Sequence, residues 1–135
     1  MDYPEAHRAI KRGQVAELQA SIPDSLSADK ANKFGWTLLM LTAIEGNVPI
    51  GEFLLSEGAP VNALNDFGES ALSLAAQKGH LPFVQLLLKH GAIASLTRPH
   101  GHDIEGWMRV SSGLSQEKME AIVEAIDTHD IQDPI

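Results

Sequence analysis

The stretch from Gly68 to Ala92, GESALSLAAQKGHLPFVQLLLKHGA, decides the fold of this chain. The stretch from Gly35 to Ala59, GWTLLMLTAIEGNVPIGEFLLSEGA, carries the same glycines, proline and leucine pair in the same order and at the same spacing. Sequence that repeats itself with a fixed period between about 20 and 50 residues is the signature of one supersecondary unit stacked on copies of itself. The sequence therefore predicts a repeat solenoid.

Each copy reads as two short helices joined by a tight turn. Thr37 and Ser70 are suitable N-caps for the first helix, because their hydroxyls can accept bonds from amides of the first turn. The patterns predict helices over 38–44, from about Val48 to Gly58, over 71–78 and over 81–90. Apolar residues at i, i+3 and i+4 predict one buried stripe on each second helix: Ile50, Phe53 and Leu54, then Phe83, Leu86 and Leu87.

The flanking sequence continues this register less regularly. Gly13 stands one full period before Gly46, which predicts helices over Pro4–Arg12 and Val15–Ile22, with Pro23 breaking the second. At the other end Ser115 can cap a last helix. Its apolar stripe consists of Met119, Ile122, Val123 and Ile126.

The segments 37–63 and 68–92 resemble ankyrin repeats. The resemblance implies an all-α solenoid of about four helix-turn-helix units with short β-turn tips and degenerate repeats as caps. The units are expected at 2–33, 34–66, 67–99 and 100–128, in one domain over 1–128 with a frayed tail over 129–135. The family's Thr-Pro-Leu-His turn reads TLLM at Thr37 and SALS at Ser70. In the family, the histidine of this turn forms hydrogen bonds between repeats. Because both turns here lack it, the resemblance predicts a less rigid stack.

Composition and charge narrow the function classes. A net charge of −8 disfavours nucleic acid as a partner, and the absence of cysteine favours a reducing compartment. We expect a cytoplasmic monomer without signal peptide, membrane span, cofactor or enzymatic activity. Eight acidic residues follow position 102 against Arg109 and Lys118. These residues either form a solvated cap at the end of the stack or create a negative electrostatic field that steers a basic protein partner.

The resemblance also implies where a partner binds, namely the concave side formed by the turn tips and the first helix of each pair. By position, the expected contact residues are Phe34, Trp36, Ile44, Glu45, Asp66, Phe67, Glu69, Gln77, Lys78, His100 and His102. Exposed aromatic side chains are frequent binding hot spots. Phe34 and Phe67 could instead be a packing pair of the repeats, whereas Trp36 has no counterpart in the next unit. Trp107 shares a helical face with Ile104 and Met108 and is expected to pack in the core or in the cap of the stack.

Three functions are compatible with these patterns. The first is a protein–protein interaction module. The second is a bacterial immunity protein or antitoxin that inhibits a toxin or enzyme. The third is a metal site formed by His100, His102 and Asp103. The alternative to a metal site is that Asp103 caps a helix that starts at Ile104.

Overall fold

The described chain contains eight α-helices in four consecutive pairs and two short 3-10 helices, Ala94–Leu96 and Pro99–Gly101. The structure is a computed structural model that describes residues 1–22 and 26–132, and it contains no β-strand within those ranges. The helices are α1 (Tyr3–Arg12), α2 (Val15–Ser21), α3 (Leu38–Glu45), α4 (Val48–Ser56), α5 (Ala71–Gln77), α6 (Leu81–Lys89), α7 (Ile104–Ser111) and α8 (Gln116–Gln132).

The helices stack in two parallel rows. The first helices form the row α1–α3–α5–α7, and the second helices form the row α2–α4–α6–α8. Their facing sides supply a single apolar core that runs the length of the stack. The predicted all-α solenoid of four helix-turn-helix units is confirmed.

Capping residues explain where the first helices begin and end. Thr37 Oγ1 accepts a hydrogen bond from the Met40 amide, and Ser70 Oγ accepts one from the Ser73 amide, both at 3.2 Å. Gly46 closes α3 in the left-handed region, with φ of 70°. Both predicted N-caps are confirmed.

Replacing the buried cap Ser70 by alanine should lower the free energy of unfolding by about 1–2 kcal/mol, because the Ser73 amide loses its acceptor away from water. Urea denaturation followed by circular dichroism would measure this. Ser115→Ala is the matched control, since Ser115 Oγ accepts from the Lys118 amide at 3.3 Å but is exposed. We expect about 0.5 kcal/mol there. Equal losses in the free energy of unfolding for the two variants would show that burial of the cap does not determine its contribution.

The predicted stripes of the second helices lie largely in the core. Ile50, Leu54, Phe83 and Leu87 are fully buried. The aromatic ring of Phe83 lies over Gly51 of the preceding pair, where a Cβ would come within 2.6 Å of Phe83 Cε2. Gly51 therefore lets α4 and α6 approach closely.

The ends of the stack depart in detail from the sequence prediction. Helix α8 extends to Gln132, past residue 128, where the sequence places the start of a frayed tail. Pro23 and residues 133–135 lie outside the described residues. None of the described helices combines the length and the hydropathy that a membrane crossing requires.

Candidate functional site

Two asparagines at equivalent positions of neighbouring units shape the first two turn tips. Asn32 Oδ1 accepts from the amides of Phe34 and Trp36, each at 3.0 Å. Asn65 Oδ1 accepts from Phe67 and Glu69 in the same way, at 2.9 and 3.0 Å. Each side chain thus replaces the backbone partners that a tight turn lacks. The sequence analysis missed this role of Asn32 and Asn65, although the two stand one full period apart.

Backbone hydrogen bonds join each tip to the next. The Asp66 amide donates to the Phe34 carbonyl at 2.9 Å, and the His100 amide donates to the Phe67 carbonyl at 3.0 Å. Pro99 occupies the position in the third tip that Asp66 occupies in the second. Because proline has no N–H, the amide of the next residue, His100, donates the bond instead. We call the residues 32–36, 65–69 and 98–102 the tip row.

Other bonds replace the missing histidine of the repeat turn. His80 Nε2 lies 2.9 Å from the Ile44 carbonyl oxygen of the preceding unit, so this nitrogen carries the proton and donates. The Arg98 amide donates to the Gly68 carbonyl at 3.0 Å, and Thr97 Oγ1 donates to the same oxygen at 2.9 Å. The units are therefore hydrogen-bonded to one another without the family's histidine.

Phe34 and Phe67 are the large apolar side chains of the tip row that face water. Each is 48% exposed. Lys33 Nζ lies 5.1 Å from the centre of the Phe34 ring, which is a cation–π distance. Asp66 is exposed beside Phe67. The two half-exposed rings thus lie on neighbouring tips whose backbones are joined by a hydrogen bond from Asp66 to Phe34.

Trp36 is less accessible than the two phenylalanines. It is half-buried and packs against the core. Its carbonyl accepts from the Tyr3 hydroxyl at 2.7 Å, and burial raises the pKa of that Tyr3 phenol, which keeps it a donor. The structure thus gives Trp36 a packing role and leaves part of the indole at the surface.

Glu69 departs from the expected exposed position. It is only 7% exposed, because its carboxylate turns back to the tip, where Oε1 accepts from Asn65 Nδ2 at 3.0 Å. Its Oε2 lies 3.9 Å from His100 Nε2. Glu69 therefore supports the second tip from inside, and its contact with a partner stays a prediction.

Trp107 is half-buried and packs beside the third tip, outside the main apolar core. Its ring stacks on His100 at 4.4 Å between centroids and on His102 at 6.0 Å, while His100 stacks on Phe67 at 5.6 Å. Ile104 and Met108 are buried as expected. At about 100° per residue, Trp107 lies at the edge of their face. The result is a continuous aromatic row of Phe67, His100, Trp107 and His102.

The expected residues at the ends of the first helices form a mixed border. Glu45 and Lys78 are exposed, and Ile44 is half-buried. Gln77 is half-buried because its Nε2 donates to Ser111 Oγ of the next unit at 3.1 Å. Glu45 and Lys78 are therefore the members of this group whose charges are free to contact a partner.

The cluster His100, His102 and Asp103 is arranged for packing and capping. Asp103 Oδ1 accepts from the Gly106 amide at 2.7 Å and so caps α7, while both histidine rings stack on Trp107. Within the ranges that the structure describes, no three His, Asp, Glu or Cys side chains converge as metal ligands would. The arrangement accounts for all three residues without a metal ion.

Comparisons with known proteins agree with this architecture. A family model described as ankyrin repeats in three copies matches residues 6–98, which is more than half of the chain. No curated protein matches the chain.

Proposed function

Since the chain belongs to the ankyrin repeat family, we propose that it binds a partner protein through the tip row, with Phe34 and Phe67 as apolar anchors. Ankyrin repeats are generally protein–protein interaction modules, and the family is typically non-enzymatic. The observation that carries the proposal is the pair of phenylalanine rings, each 48% exposed on a hydrogen-bonded tip. Burying such rings against a partner removes a large apolar area from water.

The remaining tip residues provide a polar and aromatic surround. The aromatic row continues from Phe67 to His102, and Asp66, Glu45 and Lys78 add charges at the border. A surface held by bonds between units loses little conformational entropy on binding, which favours affinity. We include Trp36 as a secondary contact and leave the buried Glu69 out.

The double variant Phe34→Ala/Phe67→Ala should lose the partner. Truncation of a central aromatic anchor costs about 2 kcal/mol or more, which corresponds to about 30-fold in affinity. Affinity capture from the native cell, quantified by mass spectrometry against wild type, measures the loss. The matched control is Ile93→Ala/Leu96→Ala, which removes two apolar side chains of similar exposure, 48% and 50%, outside the tips.

Retention of the captured proteins by the tip variant, or their equal loss from the control, would overturn the proposal.

Inhibition of a toxin or enzyme, a basic partner, the monomeric state and a cytoplasmic location stay predictions of the sequence analysis.

A further inference from the structure

A groove lies between α7 and α8, and none of the residues that line it belongs to the tip row. Its volume is about 330 Å³. Met108, Met119 and Val123 form its apolar floor, and acidic side chains form its rim. Met108 is 1% exposed, whereas Met119 and Val123 are half-buried. We call this the α7–α8 groove.

The apolar stripe of α8 has a buried part and a part that packs against the core but stays half-buried. Ile122 and Ile126 are buried, as the core of the stack demands. Met119 and Val123 lie beside them, one helical turn apart, and face the groove. Methionine is unbranched and polarizable, so a methionine-lined floor adapts to the shape of an inserted side chain.

The rim of the groove carries an excess of negative charge. The guanidinium of Arg109 pairs with Glu105 at 2.8 Å, so those two charges neutralise each other. Glu120, Glu124 and Asp127 remain, and among the described residues none of them has a cationic partner within ion-pair distance. Like charges at i and i+4, as in Glu120 and Glu124, destabilise an isolated helix. A positively charged ligand would remove this repulsion.

We propose that the α7–α8 groove binds a basic amphipathic helix of a partner protein. The floor offers apolar positions one helical turn apart, which match leucine-like residues at i and i+4 of a helical ligand. Glu120, Glu124 and Asp127, which lack a cationic partner among the described residues, match lysines or arginines that flank those apolar residues. The site is separate from the tip row, so it can engage the same partner or a second one.

A synthetic helical peptide tests the proposal, with leucines at i, i+3 and i+4 and lysines elsewhere. Fluorescence anisotropy gives its affinity for the wild-type protein. A permuted peptide of the same composition, with leucines spread around the helix, should bind at least about tenfold more weakly. Methyl NMR of the four methionines locates the site. The Met108 and Met119 signals should shift, and that of Met40, which is buried in α3, should not.

Charge-removing variants complete the test. Glu124→Gln/Asp127→Asn should weaken the amphipathic peptide about tenfold, since two rim charges are lost. The control Glu52→Gln/Glu57→Gln removes two exposed carboxylates at α4 and should change the affinity less than about twofold. Four results would each overturn the proposal: no binding to wild type, equal binding of both peptides, equal weakening by both pairs, or methyl shifts that spare Met119.

Discussion

Replacing Phe83 by alanine is expected to lower the free energy of unfolding by about 3–5 kcal/mol. The side chain is 0% exposed, and its ring fills the space above Gly51 between α4 and α6. Truncation removes apolar burial and leaves a cavity at the contact between two repeat units. Because small domains are stable by only about 5–15 kcal/mol in total, this loss is a large fraction of the stability of the fold.

Phe67→Ala is the matched control for Phe83→Ala. Both changes remove a phenyl ring, but Phe67 is 48% exposed, so we expect a loss below about 1 kcal/mol. Urea denaturation monitored by circular dichroism compares the two variants. If Phe83→Ala cost no more than Phe67→Ala, the close packing of α6 on α4 would be wrong. The same measurement on Phe34→Ala/Phe67→Ala checks that the tip variant used for binding is folded.

Gly68→Ala is expected to be the second most damaging change, with a loss of about 3 kcal/mol or more. Gly68 has φ of +74°, and an added Cβ would stand 2.4 Å from the Arg98 carbonyl oxygen. A left-handed backbone alone costs an L-residue about 1–2 kcal/mol. The contact adds to this because the obstacle is backbone of the next tip, which can move only if the bond from the Arg98 amide to Gly68 lengthens.

Gly58→Ala separates the two contributions. Gly58 has φ of +90° with no atom within 4 Å of an added Cβ, so this variant reports the backbone strain alone, about 1–2 kcal/mol. Denaturation gives both free energies, and hydrogen exchange at the Arg98 amide should accelerate in Gly68→Ala only. Equal losses in the two variants would show that the tips tolerate the added methyl group.

The period of the sequence was sufficient to predict the helices and their order. Thr37 and Ser70 cap where the pattern places them, and the stripe around Phe83 is buried. Both depend on contacts within one unit or between neighbouring units of similar sequence. Local pattern and repeat register are enough to predict such contacts.

The candidate sites depend on which way individual side chains turn, and the register does not determine this. Glu69 occupies a predicted tip position, yet its carboxylate bonds inward to Asn65. Trp107 reaches the surface because the third tip brings His100 and His102 against its ring. Met119 looks like a core residue of an amphipathic helix, and only the separation of α7 from α8 places it at a groove.

The hydrogen bonds between tips bear on how such a chain can change its length. Each bond joins a backbone group to the tip of the neighbouring unit, as from Asp66 to Phe34 and from His100 to Phe67. Duplication of a whole unit would give every new tip a donor on one side and an acceptor on the other. An insertion of part of a unit would move these groups out of line with their acceptors, beyond the shift of one residue that His100 accommodates at the third tip. Growth in steps of one complete repeat is therefore the change that this architecture tolerates, and each step would lengthen the binding surface by one tip.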